Sequence, residues 1–176
     1  PARIAAVGTS AGGYLTLVAG YRVQPRPVAL VSFWGYGDLI GPWYSEPSPH
    51  ARHHTIRVSA EEAWQQVSGP PVANGDDRPA KAAAFYQYCR QHGLWPKAVT
   101  GWDPHEEAVR FVPYLPVANV TAEYPPALLI HGEADTERGW RSWATWLEER
   151  VFTLLRVNRG ARSARLGTTD ADRRCG

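Results

Sequence analysis

The sequence predicts an α/β fold with a mainly parallel sheet. Three observations carry that reading. Short apolar runs at residues 3–8, 28–35 and 125–132 read as buried strands. A helical stretch joins the first two, as in a strand–helix–strand unit. A long aromatic stretch without strand pattern, 36–112, separates the second run from the third.

The elements follow in order. "RIAAVG" (3–8) is short and apolar, so burial on both faces is expected. "AGGYLTLVAGYR" (11–22) predicts a helix with Leu15, Val18 and Ala19 on its inner face. "QPRP" stops it. "VALVSFWG" (28–35) predicts the next strand. In the stretch 36–112, "SAEEAW" (59–64) has the serine and glutamate spacing of a capping box. "PAKAAAFYQYCRQHG" (79–93) predicts a helix ending at Gly93. The stretch therefore reads as a mostly helical insertion. "PPALLIHG" (125–132) predicts a third strand. Residues 138–151 predict an amphipathic helix, with Trp140, Trp143 and Leu147 at helical spacing, and 152–157 a last strand.

Composition narrows the classes. With 176 residues, one domain is the default, and 44% hydrophobic with 20% charged residues is ordinary for a globular chain. No apolar run is long enough to predict a membrane span. Two cysteines, Cys89 and Cys175, imply no disulfide framework, and a reducing, cytoplasmic setting is expected. The chain has no Met and starts at Pro1, on the threshold of a strand, so a fragment is the expectation. Net charge is +2, unevenly spread: residues 138–176 hold nine Arg, no Lys and four acidic residues. That tail lacks a regular basic face, and nucleic acid is not expected as a partner.

Chemistry concentrates at "GTSAGG" (8–13). A serine hydroxyl needs a base for its proton and donors for the oxyanion. Gly-x-Ser-x-Gly between a strand and a helix is the nucleophile elbow, a turn tight enough to want glycine at both flanks. Ser10 is then the nucleophile, Gly8 and Gly12 the flanking glycines, and the Ala11 amide an oxyanion donor at a positive helix end. The Rossmann and P-loop patterns are absent. Asp135, in the loop after the third strand, is the expected acid, and Asp38 the alternative.

The segments "GTSAGGYLTL", "ALVSFWGYGDL", "WYSEPSP" and "YPPALLIHGEADT" resemble the α/β-hydrolases, in the branch of prolyl-oligopeptidase-like, dienelactone-hydrolase-like and esterase/lipase proteins. The resemblance spans about residues 3–137, with a weaker echo at "FTLLRVNRG". It implies a partial α/β-hydrolase fold, with helices on both faces of the sheet and the helical insertion at about 36–112, followed by a divergent segment 138–176. It also implies a Ser-Asp-His triad acting by acyl transfer on an ester, lactone or peptide substrate. By motif match Ser10 takes the nucleophile role and Asp135 the acid role.

Two departures limit what the resemblance implies. The family has strands before the elbow, so the edge of residues 3–8 is expected to be open. It places its base just past the last strand, where this sequence reads "NRGARSARLG", with Arg162 and Ser163 at about the histidine position. An arginine stays charged and cannot serve as base. Of the six histidines, His131 on the third strand is read as structural. His105 and the His50, His53 and His54 group lie in the insertion. "HARHH" lacks ligands at zinc spacing, so a solvated loop is expected, with neither metal nor cofactor. Trp34, Tyr36, Trp43, Tyr44 and Trp95 either line an acyl pocket or pack the insertion. The expected function is a serine hydrolase inactive in this form. The alternatives are a non-catalytic relative that binds a ligand or partner, and a decayed gene fragment.

Overall fold

A computed structural model describes residues 3–74, 77–78, 83–132, 152–157 and 165–167. The helix expected at 138–151, Asp135, Arg162 and Ser163 lie outside the described residues. The chain divides into two compact units, one of Pro1–Leu39 with Phe111–Gly176, the other of Ile40–Arg110.

The first unit is built on a sheet of strands β1 (Ala5–Thr9), β2 (Ala29–Phe33), β3 (Ala127–Gly132), β4 (Phe152–Val157) and β5 (Arg165–Gly167), lying side by side in that order. The first four run parallel, and β5 is antiparallel to β4. Helix α1 (Ala11–Arg22) connects β1 to β2 and packs on both. The architecture is α/β and is consistent with a partial α/β-hydrolase fold.

Two expectations change. β1 is not buried on both faces: its residues alternate between exposed and half-buried, and Val7 is 63% exposed. Among the described residues it is the end strand of the sheet, flanked by β2 alone. The inner face of α1 is not Leu15, Val18 and Ala19. Leu15 is exposed, and Gly13, Thr16, Leu17 and Gly20 are buried. Small residues win that face because the helix approaches the sheet closely. A Cβ on Gly20 would lie 2.5 Å from the Tyr124 ring and 2.8 Å from Leu30 Cδ1. Counting apolar side chains misses a face whose contact is made by missing side chains.

The core of this unit is Leu17, Leu30, Tyr124, Ala127 and Leu129. Burial of each leucine contributes about 1.5–3 kcal/mol. The Tyr124 hydroxyl donates to the Leu17 carbonyl at 2.5 Å, so the polar end of a buried ring is satisfied. Burial raises its pKa, keeping it a neutral donor.

The second unit is helical: α2 (Pro42–Ser45), α3 (Ala60–Val67), α4 (Ala84–His92), α5 (Trp95–Thr100) and most of α6 (Ala108–Phe111). A short helix of the first unit, α7 (Pro116–Asn119), precedes β3. Ser59 caps α3 as its sequence pattern predicts, accepting from the Glu62 amide at 3.1 Å. α4 ends at Gly93 with φ +67, where a side chain would be strained. Buried Gln66 joins the two helices by accepting from the Phe85 amide at 2.7 Å.

Arg90 anchors this unit, at 1% exposure. Its guanidinium donates to the Trp43 carbonyl at 2.5 Å and lies 5.1 Å from the Tyr44 ring centre. Its own carbonyl accepts from the Ser48 amide at 2.8 Å. The Tyr44 ring also meets Trp43 at 4.0 Å and Trp95 at 6.2 Å. These three aromatics therefore pack the second unit around a buried cation.

The histidine group is also not simply solvated. His53 is 3% exposed, with Nδ1 2.6 Å from the buried Ser48 hydroxyl. That hydroxyl accepts from the His50 amide, and in a neutral ring unprotonated at Nδ1 it can donate to that nitrogen. Burial, and then the Arg90 charge, push the His53 pKa from 6.5 to about 4. An unfolded chain protonates this ring below about 6.5, while the fold resists until about 4. Between those values the unfolded state holds the extra proton, so stability falls as pH drops through this window. The expected loss is of order 2 kcal/mol by pH 4, with no contribution from His53 above about pH 7. Chemical denaturation at a series of pH values checks this. The slope in that window should flatten in His53→Gln, and an unchanged slope would refute the assignment.

Candidate active site

The site is built where β1 and β2 end side by side. Gly8 is paired with Ser32 and Thr9 with Phe33. The ladder continues one step past each strand: the Ser10 amide donates to the Phe33 carbonyl at 2.9 Å, and the Trp34 amide to the Ile130 carbonyl at 2.7 Å. The next residue must leave the sheet abruptly. Ser10 does so at φ 52, ψ −120, and Trp34 at φ 38. Among the described residues these are the two non-glycine positions with positive φ. Such conformations cost about 1–3 kcal/mol each and cluster where function demands them. Both sit at the carboxyl ends of adjacent parallel strands, where α/β sheets bind ligands.

The Ser10 carbonyl accepts from the Tyr14 amide at 3.0 Å, which starts α1 at once. The Ser10 side chain makes no capping hydrogen bond, and the residue is exposed. Its hydroxyl is thus not spent on its own helix. The first amides of α1, including Ala11, have no carbonyl one turn back and lie at the positive end of the helix. No acidic residue in that turn offsets them.

The glycines divide their work differently from the simple elbow rule. A Cβ on Gly8 would fall on the Gly12 carbonyl oxygen and 2.6 Å from Thr16 Oγ1. A Cβ on Gly12 would meet nothing within 4 Å. The second tight position is Gly13, where a Cβ would lie 2.8 Å from the Ser32 hydroxyl and 2.9 Å from Gly35 Cα. Gly35 is equally confined, since a Cβ there would lie 2.6 Å from the Gly13 carbonyl carbon. Gly13, Ser32 and Gly35 thus let the first turn of α1 settle onto the loop after β2. The pairing of Gly13 with Gly35 is not legible in sequence, because it joins the first turn of α1 to the loop after β2 through space.

Trp34 is 50% exposed, with its ring edge-on to Phe33 at 5.8 Å. Tyr36 turns the other way. It stacks on Tyr14 at 5.4 Å and packs against the core of the first unit. The Tyr14 hydroxyl donates to the Tyr114 carbonyl at 2.9 Å, and burial raises its pKa to about 12. Of the two predicted pocket residues, Trp34 presents the more open surface.

Asp38 follows β2 in the first unit and is partly buried. His131 lies on the face of β3 that carries Ala127 and Leu129, at 5% exposure. His50, His53, His54, His92 and His105 belong to the second unit. No group of three His, Cys, Asp or Glu suited to a metal occurs among the described residues. Cys89 is a buried free thiol, and burial raises its pKa to about 11. Among the described residues no helix is long and apolar enough to cross a membrane.

The chain thus presents an α/β sheet with a strained serine between its end strand and its first helix. No family model and no curated protein match the sequence. Among solved structures, the fold is similar to a protein with unknown function from Staphylococcus aureus subsp. aureus Mu50. The TM-score is 0.66 at 20% identity, covering 89% of this chain and 55% of that one. A Pyrobaculum calidifontis esterase matches at TM-score 0.46 and 23% identity, covering 89% of this chain and 43% of that one. An acetyl ester-xyloside bifunctional hydrolase from Caldicellulosiruptor lactoaceticus matches at 0.44 and 17%, covering 88% and 45%. The chain spans about half the length of these proteins. At such identities the likeness is one of fold.

Proposed function

We propose that the chain carries the nucleophile part of a serine hydrolase that cleaves ester bonds of small molecules by acyl transfer. The observation that supports this most is Ser10 itself. An exposed serine held at φ 52, ψ −120 directly before a helix is costly unless its placement is used. In this reading Ser10 Oγ bonds to the substrate carbonyl carbon and its proton passes to a base. The Ala11 amide stabilises the oxyanion, and the leaving alcohol departs with that proton. Water then releases the acid and restores the serine. Asp135 is the residue we propose to orient a histidine base. No histidine follows His131 in the sequence.

The chain alone is therefore expected to lack turnover on p-nitrophenyl acetate beyond that of Ser10→Ala. Added imidazole supplies a base in solution, so one acetyl group should then appear on Ser10 by peptide mass spectrometry. Ser10-dependent turnover without imidazole would overturn the missing base. Acetylation of Ser10 no faster than that of other hydroxyls would overturn the nucleophile.

A further inference from the structure

The second unit holds a separate concentration of polar chemistry. A depression of about 240 Å³ is lined, among the described residues, by His54, Arg57, Gln91 and His92, none of them a carboxylate. Gln91 is committed to holding the fold. Its Nε2 donates to the His53 and Ile56 carbonyls, each at 2.7 Å, and its Oε1 accepts from the Val58 amide. His54 Nε2 lies 2.6 Å from the Ser48 carbonyl oxygen, which can only accept, so that nitrogen bears a proton and Nδ1 is left over. The His92 ring is steadied by Tyr88, 4.5 Å away. Arg57 has no hydrogen-bond or ion-pair partner among the described residues.

An unpaired guanidinium and two imidazoles converge on one small concavity whose backbone is braced by Gln91. We propose that this depression binds a phosphate monoester. The planar fork of Arg57 suits two phosphate oxygens at once, and the third is flanked by His92 and by His54, whose Nδ1 donates to it only in the doubly protonated ring. A carboxylate offers two oxygens to these three side chains and uses the site less fully. The site lies in the unit without Ser10, so it stands apart from the hydrolase reading.

Inorganic phosphate titrated into the full chain at constant ionic strength tests this, read from the His54 and His92 ring signals by NMR. Both rings should shift to saturation together. Arg57→Ala should weaken binding about tenfold or more, since it removes a charge-assisted bidentate contact. Arg57→Lys should lie between, because it keeps the charge and loses the fork. His92→Gln, which leaves Arg57 in place, should cost about threefold. Acetate at equal ionic strength should not saturate either ring. Non-saturating shifts, equal affinity in Arg57→Ala, or acetate binding as tightly as phosphate would each overturn the proposal.

Discussion

Gly8→Ala should unfold the first unit or destabilise it by about 3 kcal/mol or more, at the upper end of overpacking costs. The new methyl would clash with the Gly12 carbonyl oxygen and lie 2.6 Å from Thr16 Oγ1. A flexible side chain can swing aside, whereas the carbonyl belongs to the first turn of α1. Relief would require moving the helix start, and with it the Ser10 to Phe33 hydrogen bond. Gly12→Ala is the internal control. Its methyl would meet nothing, and alanine favours helix over glycine by up to about 1 kcal/mol. The two variants differ by one methyl each, four residues apart, and should move stability in opposite directions. Thermal denaturation of both decides the point. Equal melting temperatures would show that the strand-to-helix turn is not as close as described.

Arg90→Ala should be the most damaging single change in the second unit, by about 3–5 kcal/mol. It removes a side chain with 1% exposure, opens a cavity beneath Trp43 and Tyr44, and takes a donor from the Trp43 carbonyl. Arg90→Lys should recover only part of the loss, because an ammonium lacks the flat face that lies over Tyr44. Denaturant unfolding followed by tryptophan fluorescence suits the measurement, since Trp43 borders the site. Full recovery by lysine would show that charge alone matters there.

The sequence made much of the sheet legible and less of the site. The strands at 29–33, 127–132 and 152–157 announce themselves because their apolar runs are short and β-branched or leucine-rich, and the first two have Pro or Gly close by at either end. The Ser59 cap is equally plain, since capping is a local matter of a few residues. The buried face of α1 is not legible in sequence because Gly13 and Gly20 bury backbone rather than side chain, and no hydrophobicity count registers that. His53 looked like part of a polar loop. Its burial depends on Ser48, Arg90 and Gln91, two of which arrive from a distant helix. The positive φ at Trp34 carries no sequence mark, since tryptophan is among the residues least suited to it.

The placement of Ile40–Arg110 between β2 and β3 also bears on how the chain folds. Leu30 must find Ala127 across the whole insertion before the parallel ladder can form. The entropy of closing such a loop grows only logarithmically, about 0.6 kcal/mol per doubling, yet it is incurred before any strand contact repays it. Structure formed early within Ile40–Arg110 shortens the effective loop. The contacts of that unit close shorter loops than the β2–β3 pairing does: Gln66 to Phe85 spans 19 residues and Trp43 to Arg90 spans 47, both well short of the separation between Leu30 and Ala127. Shorter loops cost less entropy to close, so the insertion is expected to consolidate before β2 and β3 pair.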